Sequence, residues 1–134
     1  MCRWRRKKGD PREPKDHALG RSRGGFSTKL HLTCDNAGHP LTFELTAGQV
    51  HETQALVALL ENADACVVDL EGTPVAWPEK IAADKGFRAN WIDTMLQTMN
   101  IQPVIPSKAN EDRDTRLQEF DAATYRDRNI IERL

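Results

Sequence analysis

Two acidic side chains stand where a carboxylate can do chemistry. Asp84 ends a short apolar run, Lys80-Ile81-Ala82-Ala83-Asp84, and is followed at once by Lys85-Gly86. Functional groups in open α/β sheets gather beyond the carboxyl ends of strands, so Asp84 reads either as a site residue or as the former of a turn. Glu132 belongs to a second group. Tyr125, Arg128 and Glu132 are spaced three and four apart, which at ~100° per residue places them on one helical face. That face is either an exposed ion-paired surface, with Arg128 and Glu132 as an i, i+4 pair, or a partly buried one beside Ile130 and Ile131. In the second case the carboxylate needs a partner or a metal.

Other residue types offer less. His17, His31, His39 and His51 show no metal-ligand spacing and no His-Glu-x-x-His pattern, and read as loop, strand and cap residues. Cys2, Cys34 and Cys66 lie too far apart for a zinc or disulfide framework and suit a reducing cytoplasm.

The elements that must position these groups follow from pattern. Residues 1–25 hold two prolines, four glycines and no apolar periodicity, and read as a basic arm or loop preceding a domain over 26–134. Lys29–Cys34 and Leu41–Thr46 each alternate apolar and polar residues around Asp35-Asn36-Ala37-Gly38-His39-Pro40, which predicts an antiparallel hairpin of half-buried strands. A helix is expected from about Glu52 to Asn62, with His51-Glu52 at its start and Leu56, Leu59 and Leu60 as its inner stripe. Residues 63–78 are ambiguous, with Cys66-Val67-Val68 either a short strand or the end of the helix. Residues 80–84 read as a buried strand. A second helix, about Ala89 to Met99, places Trp91, Ile92, Met95, Leu96 and Met99 on one face and can end at Asn100. Ile101–Pro106 reads as a short strand at an edge or strand end, where prolines are tolerated. A last helix begins near Asp121, its N-cap, and still runs at Leu134. The order β-β-α-β-α-β-α predicts a mixed α/β sheet with helices packed on it.

Composition sets the class. The 134 residues are 39% hydrophobic and 29% charged with a formal net charge of −1, which fits a globular chain and excludes wholesale disorder. No apolar run approaches the ~18 residues a membrane span needs, and the arginine-rich start leads into no signal-peptide pattern. The neutral total conceals a division. Residues 1–30 carry 10 basic and 3 acidic side chains, a local charge of +7; residues 31–134 carry 9 basic and 17 acidic, or −8. A basic arm on an acidic body suits a polyanionic partner or, equally, a solubilising tail.

Three segments together carry a resemblance. Gly20-Arg21-Ser22-Arg23-Gly24-Gly25-Phe26-Ser27-Thr28-Lys29-Leu30-His31-Leu32, Ala83-Asp84-Lys85-Gly86-Phe87 and Tyr125-x2-Arg128-x3-Glu132 resemble, in order and spacing, bacterial insertion-sequence transposases of the DDE type over roughly residues 15–134. The resemblance implies a ribonuclease H-like fold in which two aspartates and a glutamate hold Mg²⁺ or Mn²⁺ for phosphoryl transfer on DNA. Hard divalent cations prefer oxygen ligands, so the lack of Cys/His clusters is no obstacle. Asp84 matches the second acidic residue and Glu132 the third, as catalytic and metal-binding groups. Tyr125 and Arg128 match signature positions suited to DNA or active-site contact. Arg21, Arg23 and Lys29 become candidates for the DNA backbone. The implied partners are the terminal inverted repeats of the element and intact transposase subunits, in the cytoplasm at the nucleoid, with no membrane.

The same resemblance marks departures. The family's first aspartate lies on a strand before the Gly-Arg-Ser-Arg-Gly-Gly loop, in a stretch like Val-Asp-Gly-Thr, and this sequence begins too late to include it. Val67-Val68-Asp69-Leu70-Glu71-Gly72-Thr73 imitates it in the wrong topological place, and Asp69 reads as a loop residue. The signature's lysine, seven residues beyond the glutamate, would fall past Leu134, and Phe87 replaces the usual tyrosine. The chain thus reads as truncated at both ends, lacking its central first strand and leaving that strand's neighbours with unpaired edges. It is expected neither to cut nor to join DNA alone, and an alternative role is that of a non-catalytic DNA-binding or regulatory remnant.

Overall fold

Asp35 turns the chain into its first ladder. Its Oδ1 accepts the amides of Ala37 and His39 at 2.9 and 2.8 Å, its Oδ2 lies 2.9 Å from the His39 ring, and Gly38 takes a φ of 90° that favours glycine. The structure, a computed structural model, describes residues 18–112, 116 and 119–133. Around the turn, β2 (Gly25–Cys34) and β3 (Pro40–Ala47) pair antiparallel from Thr28↔Ala47 to Thr33↔Thr42, and the register shifts at Cys34. The hairpin is as the alternation predicted. The arm is shorter than expected, because β1 (Gly20–Ser22) folds back on Gly25–Ser27 across a tight turn that Gly25 permits at φ 116°. His17 and most of the arm lie outside the described residues.

Helix α1 (Glu52–Cys66) opens on His51, whose Nδ1 accepts the Thr53 amide. It runs four residues beyond the expected end, since Ala63-Asp64-Ala65-Cys66 contains no breaker. Cys66 is therefore the helix end, and Val68 makes one isolated bridge to Pro74. Asp69 is a turn residue, as its place in the chain suggested: its Oδ1 accepts the amides of Glu71 and Thr73.

Half-buried β4 (Lys80–Ala82) and β5 (Gln102–Val104) pair in parallel, and the crossover between them holds a 3₁₀ turn (Lys85–Phe87) and α2 (Asn90–Thr98). Asn100, at φ 57°, closes that crossover as a left-handed cap. The final helix begins as expected at Asp121, which caps α3 (Ala122–Asp127) through Thr124 and takes Lys80 Nζ at 2.8 Å. It does not stay α-helical: Arg128–Arg133 tighten into 3₁₀ geometry, and Leu134 lies outside the described residues.

The chain is thus mixed α/β, but its strands form two sheets, β1-β2-β3 and β4-β5. Among the described residues, the 28–34 stretch of β2 pairs only with β3, and β4 pairs only with β5. The core lies between α1, α2 and the parallel pair. Leu56, Leu60, Ile92, Leu96, Ile101 and Ile105 form it, and each fully buried aliphatic side chain contributes about 1.5–3 kcal/mol. Trp91 is not part of it; at 47% exposure it turns to solvent although the helical spacing grouped it with Ile92.

The hairpin faces the opposite way to a simple amphipathic reading. Its polar phase is turned inward: His31 and Thr42 are buried, and the Thr42 hydroxyl donates to the Leu59 carbonyl in α1. Its apolar phase, Phe26, Leu30, Phe43 and Leu45, is exposed at 48–66%. The inner polar atoms tolerate this because they find partners, as when His31 Nε2 meets Thr46 Oγ1 at 2.8 Å.

Candidate functional site

The end of β4 and the last helix of the chain border one cleft of about 700 Å³. It is lined by Glu52, Asp84, Lys85, Gly86, Lys108, Tyr125 and Arg128. Asp84 lies two residues past β4 and caps the 3₁₀ turn, its Oδ1 accepting the Gly86 amide at 3.2 Å. Both readings of this residue thus meet in one place: it is a turn former, and its exposed carboxylate borders the cleft. Tyr125 and Arg128 arrive from α3 and its 3₁₀ extension. The Arg128 guanidinium lies over the Tyr125 ring, 5.1 Å from its centre, and the ring leans on Phe120.

Glu132 is not among the residues that line the cleft. Its carboxylate, 64% exposed, stands 3.5 Å from the Arg128 guanidinium, so it is joined to the site through that arginine. Arg128 thus meets both of the residues grouped with it by spacing, the Tyr125 ring and the Glu132 carboxylate. Arg128 Nε is buried without an acceptor among the described residues, leaving a guanidinium N–H unused.

The hairpin contributes differently from expectation. Arg21 on β1 and Arg23 in the following turn are exposed and stand outside the cleft lining. Lys29 points inward: its ammonium donates to the Val50 carbonyl at 2.9 Å and to Glu52 Oε1 at 2.8 Å. That bond holds the Glu52 carboxyl below the usual glutamate value. Burial pushes the neighbouring His31 below the ordinary histidine value, and its ring meets Phe87 edge-on at 6.0 Å.

Sequence reasoning missed Glu52 and Lys108. A point above Gly86 where a Cβ would sit is 3.3 Å from Asp84 Oδ1 and 3.4 Å from Glu52 Cδ, so two carboxyl groups flank this glycine. Nothing in spacing could reveal that, because α1 and the 84–86 turn meet only in the folded chain. As donors, these groups fit a hard divalent cation in kind. They fall short in number: among the described residues no three His, Cys, Asp or Glu side chains gather as a metal site. Nor is any described helix long and apolar enough to cross a membrane.

Comparison with known proteins gives the family. Residues 3–134 match the family model described as the transposase DDE domain. The chain is similar to a curated protein of Burkholderia cepacia described, itself provisionally, as the transposase for insertion sequence element IS402. The two are 32% identical over 109 residues, covering 81% of this chain and 48% of that protein. The chain therefore spans about half the length of the curated relative it matches. No solved structure matches it. With nearly its whole length matched by the family model, the chain belongs to the transposase DDE domain family.

Proposed function

We propose that this chain is part of the catalytic core of a DDE transposase, whose parent activity is cleavage of DNA at insertion-sequence ends and joining of those ends to a target. The observation that carries this reading is the shared cleft: Asp84, Tyr125 and Arg128 come from distant parts of the sequence and border one space. Cationic Lys85, Lys108 and Arg128 beside Asp84 and Glu52 suit a phosphodiester backbone next to an acidic metal seat. The Arg128 guanidinium, which borders the cleft, is a group of the kind that takes a phosphate oxygen. Exposed Arg21 and Arg23 would extend the contact along DNA, whereas the Lys29 ammonium is taken up by Glu52 and Val50 and serves to position them.

On the family resemblance Asp84 and Glu132 would hold Mg²⁺ or Mn²⁺, but Glu132 stands outside the cleft lining and no three acidic groups gather among the described residues, so no metal centre is assigned to this chain by itself. The fold would be ribonuclease H-like, with the hairpin sheet and the parallel pair as two parts of one sheet. That β2 over 28–34 and β4 each have one strand partner among the described residues supports that view. Asp69, in the stretch that imitates the family's first aspartate, belongs to a surface turn. We therefore assign the chain by itself DNA binding without cleavage, at element ends and alongside intact transposase subunits.

The test is an electrophoretic shift with labelled inverted-repeat DNA across a salt series, repeated with Mg²⁺ and scored for nicks. The expected result is retention that falls steeply with salt and no nicking. Absence of retention at low salt defeats the DNA reading. Nicking that Asp84→Ala removes defeats the assignment of binding without cleavage.

A further inference from the structure

We propose that Lys108 is a DNA-phosphate contact of this cleft, held in place from behind by buried Arg88 through Glu111. The inference rests on the DNA-binding reading above and adds to it a residue that neither the family resemblance nor charge counting singled out. Lys108 lies in the loop after β5 and lines two clefts at once. One is the cleft of Asp84 and Arg128; the other, of about 250 Å³, is bordered by Arg88, Asn90 and Glu111.

The loop has little regular structure, yet its geometry is fixed. Arg88 is only 3% exposed. Its Nε donates to Glu111 Oε2 at 3.0 Å, a second nitrogen donates to Glu111 Oε1, and a third lies 3.2 Å from Asp93 Oδ2. Glu111 returns the constraint to Lys108: its Oε2 accepts the Lys108 amide at 3.1 Å, and its own amide donates to the Lys108 carbonyl at 3.1 Å. Burial pushes the Glu111 carboxyl up, but the bonds from Arg88 and the Lys108 amide outweigh it and leave it lowered. On the far side, Arg116 ties the same loop down by donating to the Ile105 carbonyl and to Asp93.

Such anchoring fixes the backbone of a residue whose side chain is itself exposed. Among the described residues no hydrogen bond or ion pair engages the Lys108 ammonium. A free ammonium on a rigid base, beside Arg128 and Asp84, is the arrangement that meets a backbone phosphate at the site of strand chemistry. A lysine on a solvated loop would need none of the two-nitrogen anchorage of Glu111 behind it.

The full chain is titrated with a fluorescein-labelled DNA duplex by anisotropy over a salt series, for the parent chain, Lys108→Ala, Lys108→Arg, Glu111→Gln and Arg128→Ala. Loss of one phosphate contact makes the slope of log affinity against log salt shallower by about 0.9. Lys108→Ala is expected to show that change, Lys108→Arg to keep the parent slope, and Glu111→Gln to weaken binding with its lysine charge intact. A parent-like slope in Lys108→Ala, with a shallower one in Arg128→Ala, overturns the proposal and leaves the DNA reading standing. No binding by the parent chain at low salt overturns both.

Discussion

Lys29 Nζ stands 2.8 Å from Glu52 Oε1, so a side chain in the middle of β2 holds the first turn of α1. The same glutamate flanks Gly86 beside Asp84, which places this ion pair next to the candidate site. Structural support and site chemistry therefore meet at one carboxylate.

Replacing Lys29 by Met frees Glu52. Lys29 lowers the folded-state value of the Glu52 carboxyl below 4.5, so the stabilisation is present above about that pH and is lost as the pH falls below it. With both side chains 34% exposed, the loss at neutral pH is expected to stay under about 1 kcal/mol. Urea melts at a series of acid pH values check this: the variant's stability should fall less steeply with acid than the parent's.

His31 gives a second pH dependence. Burial lowers its folded-state value below 6.5, so the neutral ring's contribution is present above about that pH and is lost as the pH falls below it. Its ring touches Phe87, next to Gly86, and acidification should loosen the 3₁₀ turn that carries Asp84. NMR titration of the ring, followed together with the amide signals of residues 84–88, should show the two moving over one pH range.

Arg88→Met leaves Asp93 and Glu111 without their shared cation. Breaking a buried ion pair from one side costs about 3–5 kcal/mol, and the partial exposure of the two carboxylates places the expected loss near 3. Equilibrium urea unfolding measures it. A loss below about 1 kcal/mol would mean that the loop is held by Arg116 instead.

Two apolar truncations should behave oppositely. Leu96→Ala opens a hole between α1, α2 and β5, at a cost of about 2–5 kcal/mol. Phe43→Thr removes a ring that is 61% exposed, and stability should stay within about 0.5 kcal/mol. Paired thermal melts of the two variants decide this.

Local chemistry made much of the fold readable. The Asp35–Pro40 turn, the inner leucines of α1, the cap at Asp121 and the left-handed Asn100 depend on nearby residues, and each lies where the sequence placed it. What could not be read was relative placement. Alternation in β2 and β3 specified two faces, but not that hydrogen bonding would let the polar one turn inward. Lys29 counted as free positive charge because its acidic partner begins the next helix. Asp84 and Arg128 were legible from motif and spacing, whereas Glu52 and Lys108 join them only through tertiary packing.

The strand pairing described for β2 bears on handling of the protein. Among the described residues the 28–34 stretch of β2 has no partner on its second side, a row of amides and carbonyls in extended form that adjoins exposed Phe26, Leu30, Phe43 and Leu45. Such rows are templates on which another molecule can add a strand. Concentrated solutions of the chain will consequently tend toward edge-to-edge stacking, with turbidity and thioflavin binding rising together, and a lysine introduced at Leu30 should suppress both.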